Sequence, residues 1–481
     1  MRNAESEARS KSPSGFFYSA LSPLLIALLF TLSGCKGENQ PSPPELPANV
    51  INLSNTEALS IAPDSAASGE TLYIVWQEHV GGQNMEVFLS RSGDGGATFG
   101  APVNVSQTSV FSGNPQIAAS GNFVHVVWEE TVPTNVEANE FDIFYRRGED
   151  VNGTFTWSPP LSETGLRLSS PTPNCRNNTD TPGDDPCPSQ LPTVVASGEN
   201  VFVAWGESTI YQFEIDNSLN PPSKTFRIIN SEILLRRSTD DGTTFDPTIF
   251  TISGPKDDST LSPSFAPTLA ATADRVYIAW EDVPLPQPPQ PQSKIFFRTL
   301  IDPLSSAFSP PLAQQARDLS RFIKGSSRPS LAAEGTRVYL AWEGLHLPAG
   351  PCPAVQDNTP APPEARSEIF LVLSENRGDQ FSDANDCAQS NFSNTTGNSN
   401  SPRISVSGSS VYVVWMESTP DLAGMAFRKS EDGGDTFSAF SNIETAGSAA
   451  NPSIIAAADG TLLASWEDAT LGNLEIVFAR E

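Results

Sequence analysis

Histidine and basic side chains are scarce in this chain, and their scarcity removes whole classes of function. The three histidines, His79, His125 and His346, lie far apart with no Cys-x-x-Cys pair beside them, so no local zinc-ligand set exists. Against 56 Asp and Glu stand only 28 Lys and Arg, a formal net charge of −28. Nucleic acid and anionic lipid both require a basic footprint, so neither is expected as a partner of the folded part. The acidity fits an exported protein that must stay dispersed. Neither a His-Glu-x-x-His motif nor a phosphate-cradling glycine loop is present. Long apolar runs are also missing, apart from one near the N-terminus, and 42 prolines with 33 glycines leave little room for long helices. An all-β chain of short strands joined by turns is the expectation.

The N-terminal exception reads as a targeting segment. Arg2, Arg9 and Lys11 precede an apolar stretch over 16–32 that Pro23 interrupts, and Leu32-Ser33-Gly34-Cys35 follows. Charged, then apolar, then small is the order of a signal peptide, and the uninterrupted run is short for a spanning helix. The last four residues resemble a lipobox, which implies a signal peptide over 1–34 and acylation of Cys35, so that a lipid bilayer is the partner of this end. Lys36 stands where the inner-membrane retention signal of such lipoproteins has Asp, and by that resemblance the protein is expected in the outer membrane of a bacterial envelope. A proline-rich tether would fill 35–48.

Cys175, Cys187, Cys352 and Cys387 remain. An even number in an exported chain reads as disulfides, and nearest-neighbour pairing is the simplest of three connectivities. The loop between the first two, Asn177-Asn178-Thr179-Asp180-Thr181-Pro182-Gly183-Asp184-Asp185, offers oxygen ligands for calcium without EF-hand spacing. It is read as a solvated acidic loop, and no metal or cofactor is assigned.

Most of the chain is one repeat. Trp76, Trp128, Trp205, Trp280, Trp342, Trp415 and Trp466 end seven segments such as LYIVWQE, VYIAWED and VYVVWME, in which residues two apart share a face, as in a half-buried strand. A proline-marked strand precedes each, a third strand follows, and most repeats add a fourth with an Asn-Val-Ser-like ending. Four strands repeated radially make propeller blades, so residues 49–481 are expected to form one seven-bladed β-propeller. The seventh repeat stops after its third strand, while Asn49-Val50-Ile51-Asn52-Leu53-Ser54 matches the missing fourth, so the N-terminal strand should close the ring.

The turn after the third strand reads Ser92-Gly93-Asp94-Gly95-Gly96-Ala97-Thr98-Phe99 in the first repeat, with counterparts around Asp240 and Asp432. These turns resemble Asp-boxes, the bacterial neuraminidase repeats of the sialidase-like superfamily. In them Asp accepts N–H groups of its own turn, glycine supplies positive φ and the aromatic plugs the blade edge. Residues 374–381 are a worn copy, 148–155 a more worn one, and the fourth repeat has none.

Long insertions at 208–230, 283–292 and 345–366 follow the Trp strands, and 171–190 joins blades two and three, so one face is elaborated. Loops on a rigid scaffold are where binding residues gather. Glu78, Glu130, Glu207, Asp282, Glu417 and Asp468 stand two residues after Trp, a carboxylate ring that Gly344 breaks. Its repetition at every blade favours a structural role. The residue after the first-strand proline is Gln116, Thr193, Thr268, Ser330 and Ser453 in five blades but Arg403 in the sixth, and Arg328 precedes that proline in the fifth. Arginine offers a planar fork for carboxylates. Arg328 and Arg403, with Tyr211 and Glu207 facing them, are therefore the candidate ligand-binding residues, and an internal ion pair with the acidic rim is the competing reading.

The sialidase resemblance implies six blades, an Arg-Ile-Pro segment before the first box, three arginines and a Tyr–Glu pair. This chain has seven repeats, no Arg-Ile-Pro before Asp94, and Tyr73, Tyr277, Tyr339 and Tyr412 at one repeated packing position. The expected function is a monomeric envelope lipoprotein that binds or scaffolds a protein or glycan ligand. The alternative is a sialidase-like hydrolase or lyase acting on an acidic glycan.

Overall fold

The computed structural model describes residues 46–481 except 83, 133–139, 170–175, 178–187, 217–222, 255–261, 284–292, 322, 347–364, 383–390, 420–421, 444 and 446–448. Cys35, Cys175, Cys187, Cys352 and Cys387 lie outside the described residues, as does nearly all of the acidic loop at 177–185. Among the described residues no helix is long and apolar enough to cross a membrane.

Seven antiparallel sheets form a propeller ring. In blade one the strands run Ser60–Ser68, Thr71–Gly81, Asn84–Ser92 and Val103–Asn104 from the inside outward. Blade five is the leanest: its fourth strand is reduced to a single bridge between Phe370 and Asn391. The Trp-ending strands are buried on both faces rather than one. In blade four, Val276, Ile278 and Trp280 pack into a core shared with Phe202 and Leu235 of blade three. Tyr277 and Ala279 point the other way, into a core shared with Val338 and Leu340 of blade five. A blade sandwiched between two neighbours has no wet face, which is why the alternation carries apolar residues at both phases.

Closure occurs as the sequence implies. Val50–Asn52 pairs with Glu475–Arg480, in the register Val50 to Ala479 and Asn52 to Val477. The Asn-Val-Ser-like ending now has a reason: the serine hydroxyl accepts an N–H from the third strand and donates to a carboxylate there. Ser106 does this with Val87 N (2.9 Å) and Glu86, Ser169 with Ile143 N (2.9 Å) and Asp142 (2.6 Å), Ser393 with Ile369 N (2.8 Å) and Glu368 (2.5 Å). In blade seven the same pair is Ser54 and Glu475, 421 residues apart, and Ile476 N donates to Ser54 at 2.9 Å.

The octapeptide turns share one hydrogen-bond set. Asp94 Oδ1 accepts from Ser92 Oγ (2.7 Å) and Thr98 N (2.9 Å), and Gly96 N donates to Ser92 Oγ (2.9 Å). The sets around Asp240 and Asp432 are the same, and Asn376 reproduces most of it. The aromatic that ends each turn packs on the preceding blade rather than on its own edge: Phe99 on Phe478 and Phe245 on Tyr145, with centroids 4.9 and 4.8 Å apart.

Residues 148–155 are not a worn copy of this turn. The third strand of blade two continues to Val151 and folds back through Asn152 and Gly153, both at positive φ, onto Thr154–Ser158 as a two-residue hairpin. Blades two and four use another device. Arg146 and Arg298, both fully buried, donate to three carbonyls each: Pro159, Pro160 and Glu163 in blade two, Pro310, Pro311 and Gln314 in blade four. The two clamped segments share the sequence Ser-Pro-Pro-Leu, at 158–161 and 309–312.

The insertion at 208–230 is an arm of paired strands rather than a loop. Asn200–Asp216 and Ser223–Ser238 pair to their ends, and Arg176–Asn177 adds in parallel at Ile210 and Tyr211.

Candidate functional site

The loop face is defined by where strands begin and end. Each inner strand starts beside the end of the Trp strand, as Ser60 lies opposite Glu78, so the second-to-third connections and the links between blades share one face. The octapeptide turns share the other face with the first-to-second turns, Gly95 N donating to Glu70 O.

On the loop face the carboxylate ring is consumed by the fold. The indole N–H of each Trp donates to the carboxylate two residues on: Trp76 to Glu78 (3.0 Å), Trp128 to Glu130 (2.9 Å), Trp205 to Glu207 (2.9 Å), Trp280 to Asp282 (3.2 Å), Trp415 to Glu417 (2.9 Å) and Trp466 to Asp468 (3.2 Å). A serine at the start of the inner strand adds a second donor, as Ser189 does to Glu207 at 2.5 Å. Blade five shows the arrangement by exception. Gly344 replaces the acid, Ile323 occupies the space a side chain there would need, and the buried Trp342 Nε1 has no acceptor among the described residues. Glu207 is thus a buried structural acid.

A second tier of polar residues, one position after Trp, reaches the next blade. All seven inner strands bulge at the residue before their proline, and Ala62, Asn114, Leu191, Ala266, Arg328, Ser401 and Asn451 all take φ between 46° and 55° there. Left-handed backbone without glycine costs on the order of 1 kcal/mol each and persists only where the surroundings impose it. The imposing groups are visible: Gln77 accepts Asn114 N (2.6 Å), Glu343 accepts Ser401 N (2.8 Å) and Glu467 accepts Ala62 N (2.7 Å), with Glu129 doing the same for Leu191.

Arg328 occupies one of these strained positions on an inner strand, and its side chain is half exposed. Its Nη1 donates to Ser401 Oγ at 2.6 Å and lies 3.7 Å from Glu343 Oε2. Arg403, two residues beyond Ser401, donates to Pro402 O at 3.1 Å. Burial pushes its pKa down, the Asp64 carboxylate opposes that shift, and Arg328 adds to it. The charge of Arg328 is thus felt at Arg403. The structure adds Glu343 and Asp64 to them. Asp64 accepts Ile117 N of blade two (2.9 Å) and Ser453 Oγ of blade seven (3.1 Å). Its signal was in the sequence, since Asp64 is the residue after the first-strand proline in blade one. Glu207, in blade three, does not join this group. Tyr211 is placed by its backbone in the strand arm, paired with Ile228; its side chain lies outside the described residues. Among the described residues no three His, Cys, Asp or Glu side chains gather as a metal site would require.

The inner acids predict a pH dependence. Burial raises Asp64 to about 6 and both Glu129 and Glu130 to about 7. A raised carboxyl pKa means that the folded state binds more protons than the unfolded state between about pH 4 and 7, so stability falls as pH rises through that window. Asp94 and Asp432, lowered chiefly by their threonine hydroxyl donors, stay ionised throughout it and lose their contribution only below about pH 4. The melting temperature should therefore be higher at pH 5 than at pH 7.5. A flat or opposite profile in thermal unfolding would show that these acids ionise as freely as in the unfolded chain.

No protein family matches the sequence, and no curated protein does. Among solved structures, an ulvan lyase of polysaccharide lyase family 25, bound to -[GlcA(1-4)Rha3S]-, matches with a TM-score of 0.54 at 9% identity, covering 90% of this chain and 95% of the lyase. The likeness is one of fold. An α-L-arabinanase from Penicillium chrysogenum complexed with arabinobiose matches at 0.46, with 11% identity over 91% of this chain and 98% of that one. A Trypanosoma rangeli sialidase matches at 0.44, with 9% identity over 92% of this chain and 58% of the sialidase.

Proposed function

We propose that this chain is a lipid-anchored envelope propeller that takes an acidic ligand, an acidic glycan first, at the mouth of its central channel, with Arg328 and Arg403 gripping the anion. One observation carries the reading. In a chain with twice as many acids as bases, the acids of the loop face are tied to indoles, serines and strained backbone, while the Arg328 guanidinium stands half exposed with Arg403 behind it. Arg328 has Ser401 and a long pairing to Glu343, so donors of its fork remain for an incoming carboxylate or sulfate. The order of charged, apolar and small residues before Cys35 supports the anchor, and the shared hydrogen bonds of Asp94, Asp240 and Asp432 support reading their turns as Asp-boxes.

A second reading, a lyase or hydrolase on the same ligand, is favoured by the presence of Asp64 and Glu343 in the same group as the arginines. Oligosaccharides of the -[GlcA(1-4)Rha3S]- repeat are the first probe, chosen from the ligand of the ulvan lyase that shares the fold. Arg328→Ala should weaken their binding in calorimetry about tenfold to a hundredfold, the worth of one or two charge-assisted hydrogen bonds, at an almost unchanged melting temperature. Glu207→Gln should do the reverse. Binding that survives Arg328→Ala together with Arg403→Ala, while stability falls, would make the pair structural. New reducing ends would support the second reading.

A further inference from the structure

The direction of one strand decides which face looks at the membrane. Val50–Asn52 is antiparallel to Glu475–Arg480, and that third strand runs from the loop face, where Glu475 pairs with Asp468, to the opposite face, where Arg480 lies by Leu463. The closing strand therefore starts on the face of the octapeptide turns and climbs toward the loops. Its start is pinned there: Val50 N donates to Pro47 O, Leu46 packs against the blade-seven core, and Asn49 Nδ2 donates to Glu481 Oε1. The described chain therefore begins, at Leu46, on the octapeptide-turn face.

Given the anchor at Cys35, we propose that the octapeptide-turn face is the one turned to the lipid surface, which leaves the channel mouth and its arginines facing the medium. The inference rests on the lipid-anchor reading. Length adds to the preference. Cys35 and Leu46 are 11 residues apart, and a proline-rich tether of that length reaches about 35 Å at full extension. A nine-residue blade strand is itself roughly 30 Å tall. To lay the loop face on the bilayer, the tether would have to run the full height of the blade at almost complete extension, losing its conformational freedom. Exposed large apolar residues occur on both faces, Val80 and Leu471 on the loop face, but the most exposed lie on the other. Leu304 and Val151, the most exposed large apolar side chains among the described residues at 65% and 52%, sit at the tips of third-to-fourth connections on the octapeptide-turn face, as does Ile301. Apolar tips of this kind sit at low cost against the headgroups of an uncharged bilayer.

The test uses the full chain, expressed with its own N-terminal segment and reconstituted in phosphatidylcholine vesicles carrying a headgroup acceptor dye. A donor dye is attached through p-azidophenylalanine at position 304 or, separately, at position 471. Leu471 is exposed in the second-to-third turn of blade seven, on the loop face. Energy transfer should be at least about twofold stronger from 304, because roughly 30 Å of blade separates the two faces. Stronger transfer from 471, or equal transfer from both, overturns the orientation. Cys35→Ala is the control that separates the two readings. If the unmodified protein behaves like Cys35→Ala and stays off the vesicles, the anchor itself is refuted and the orientation falls with it. If the protein binds and the dyes report the wrong order, only the orientation fails.

Discussion

Deleting residues 49–54 should lower the melting temperature by about 10 °C and convert the propeller into an aggregating species. The segment contributes two buried side chains, Val50 and Leu53, at roughly 1.5–3 kcal/mol each. It also contributes Ser54, without which Glu475, 3% exposed, loses a donor, at about 1–3 kcal/mol. The sum is roughly 4–9 kcal/mol, and in a domain of this size one kcal/mol moves the transition by about 1–2 °C, extrapolating from the scaling of smaller domains. Exposure matters as much as energy. The deletion leaves the outer edge of Glu475–Arg480 unpaired along a largely apolar strand, an edge that pairs readily with another chain. Light scattering on heating should rise well before that of the intact protein. A deletion variant with unchanged melting and no scattering would mean that the ring is held by its blade interfaces alone.

This closure was legible in the sequence because it is a repeat argument: a missing fourth strand at one end and a spare one at the other. The seven Trp strands were legible for the same reason. What periodicity could not reveal was the partner across the blade boundary. Gln77, Glu129, Glu343 and Glu467, one place after Trp, serve the next blade, and a role shared between repeats leaves no pattern within one. The strand arm was hidden differently. Its alternation, as in Ile210-Tyr211-Gln212-Phe213-Glu214-Ile215, was there to be seen, but the length of the insertion invited a loop reading. For the site, the break in the proline-following series singled out Arg403, whose guanidinium feels the charge of Arg328. Asp64 was missed because the first member of that series was left out, and Glu207 was included as facing the arginines although the ring it belongs to already read as structural; the indole that binds it is seen only in the structure.

Replacing Arg298 with methionine should cost about 3–5 kcal/mol, more than any other single substitution considered, although Arg298 touches neither ligand nor channel. The side chain is fully buried in the third strand of blade four and donates to Pro310 O and Pro311 O at 2.6 Å and to Gln314 O at 2.8 Å. Burial pushes its pKa down to about 10, which still leaves it charged at neutral pH. A buried side-chain ion pair can often be exchanged for apolar residues at little cost, because both partners are removed together. Here the acceptors are backbone carbonyls that no substitution removes, so methionine strands all three of them, and the loss follows the cost of unsatisfied buried acceptors. Lysine should recover little: it keeps the charge but not the planar fork that reaches carbonyls on two sides. The comparison that isolates the effect is Arg377→Ala, which removes a pair to Asp274 with both side chains about half exposed and should cost under about 1 kcal/mol. Denaturant midpoints give the ordering, and limited proteolysis gives the place, since cleavage of the Arg298 variant should fall within 301–316, the connection the arginine clamps. Near-neutral behaviour of Arg298→Met would show that water satisfies those carbonyls, and the shared Ser-Pro-Pro-Leu segments of blades two and four would then have to stand on their own backbone.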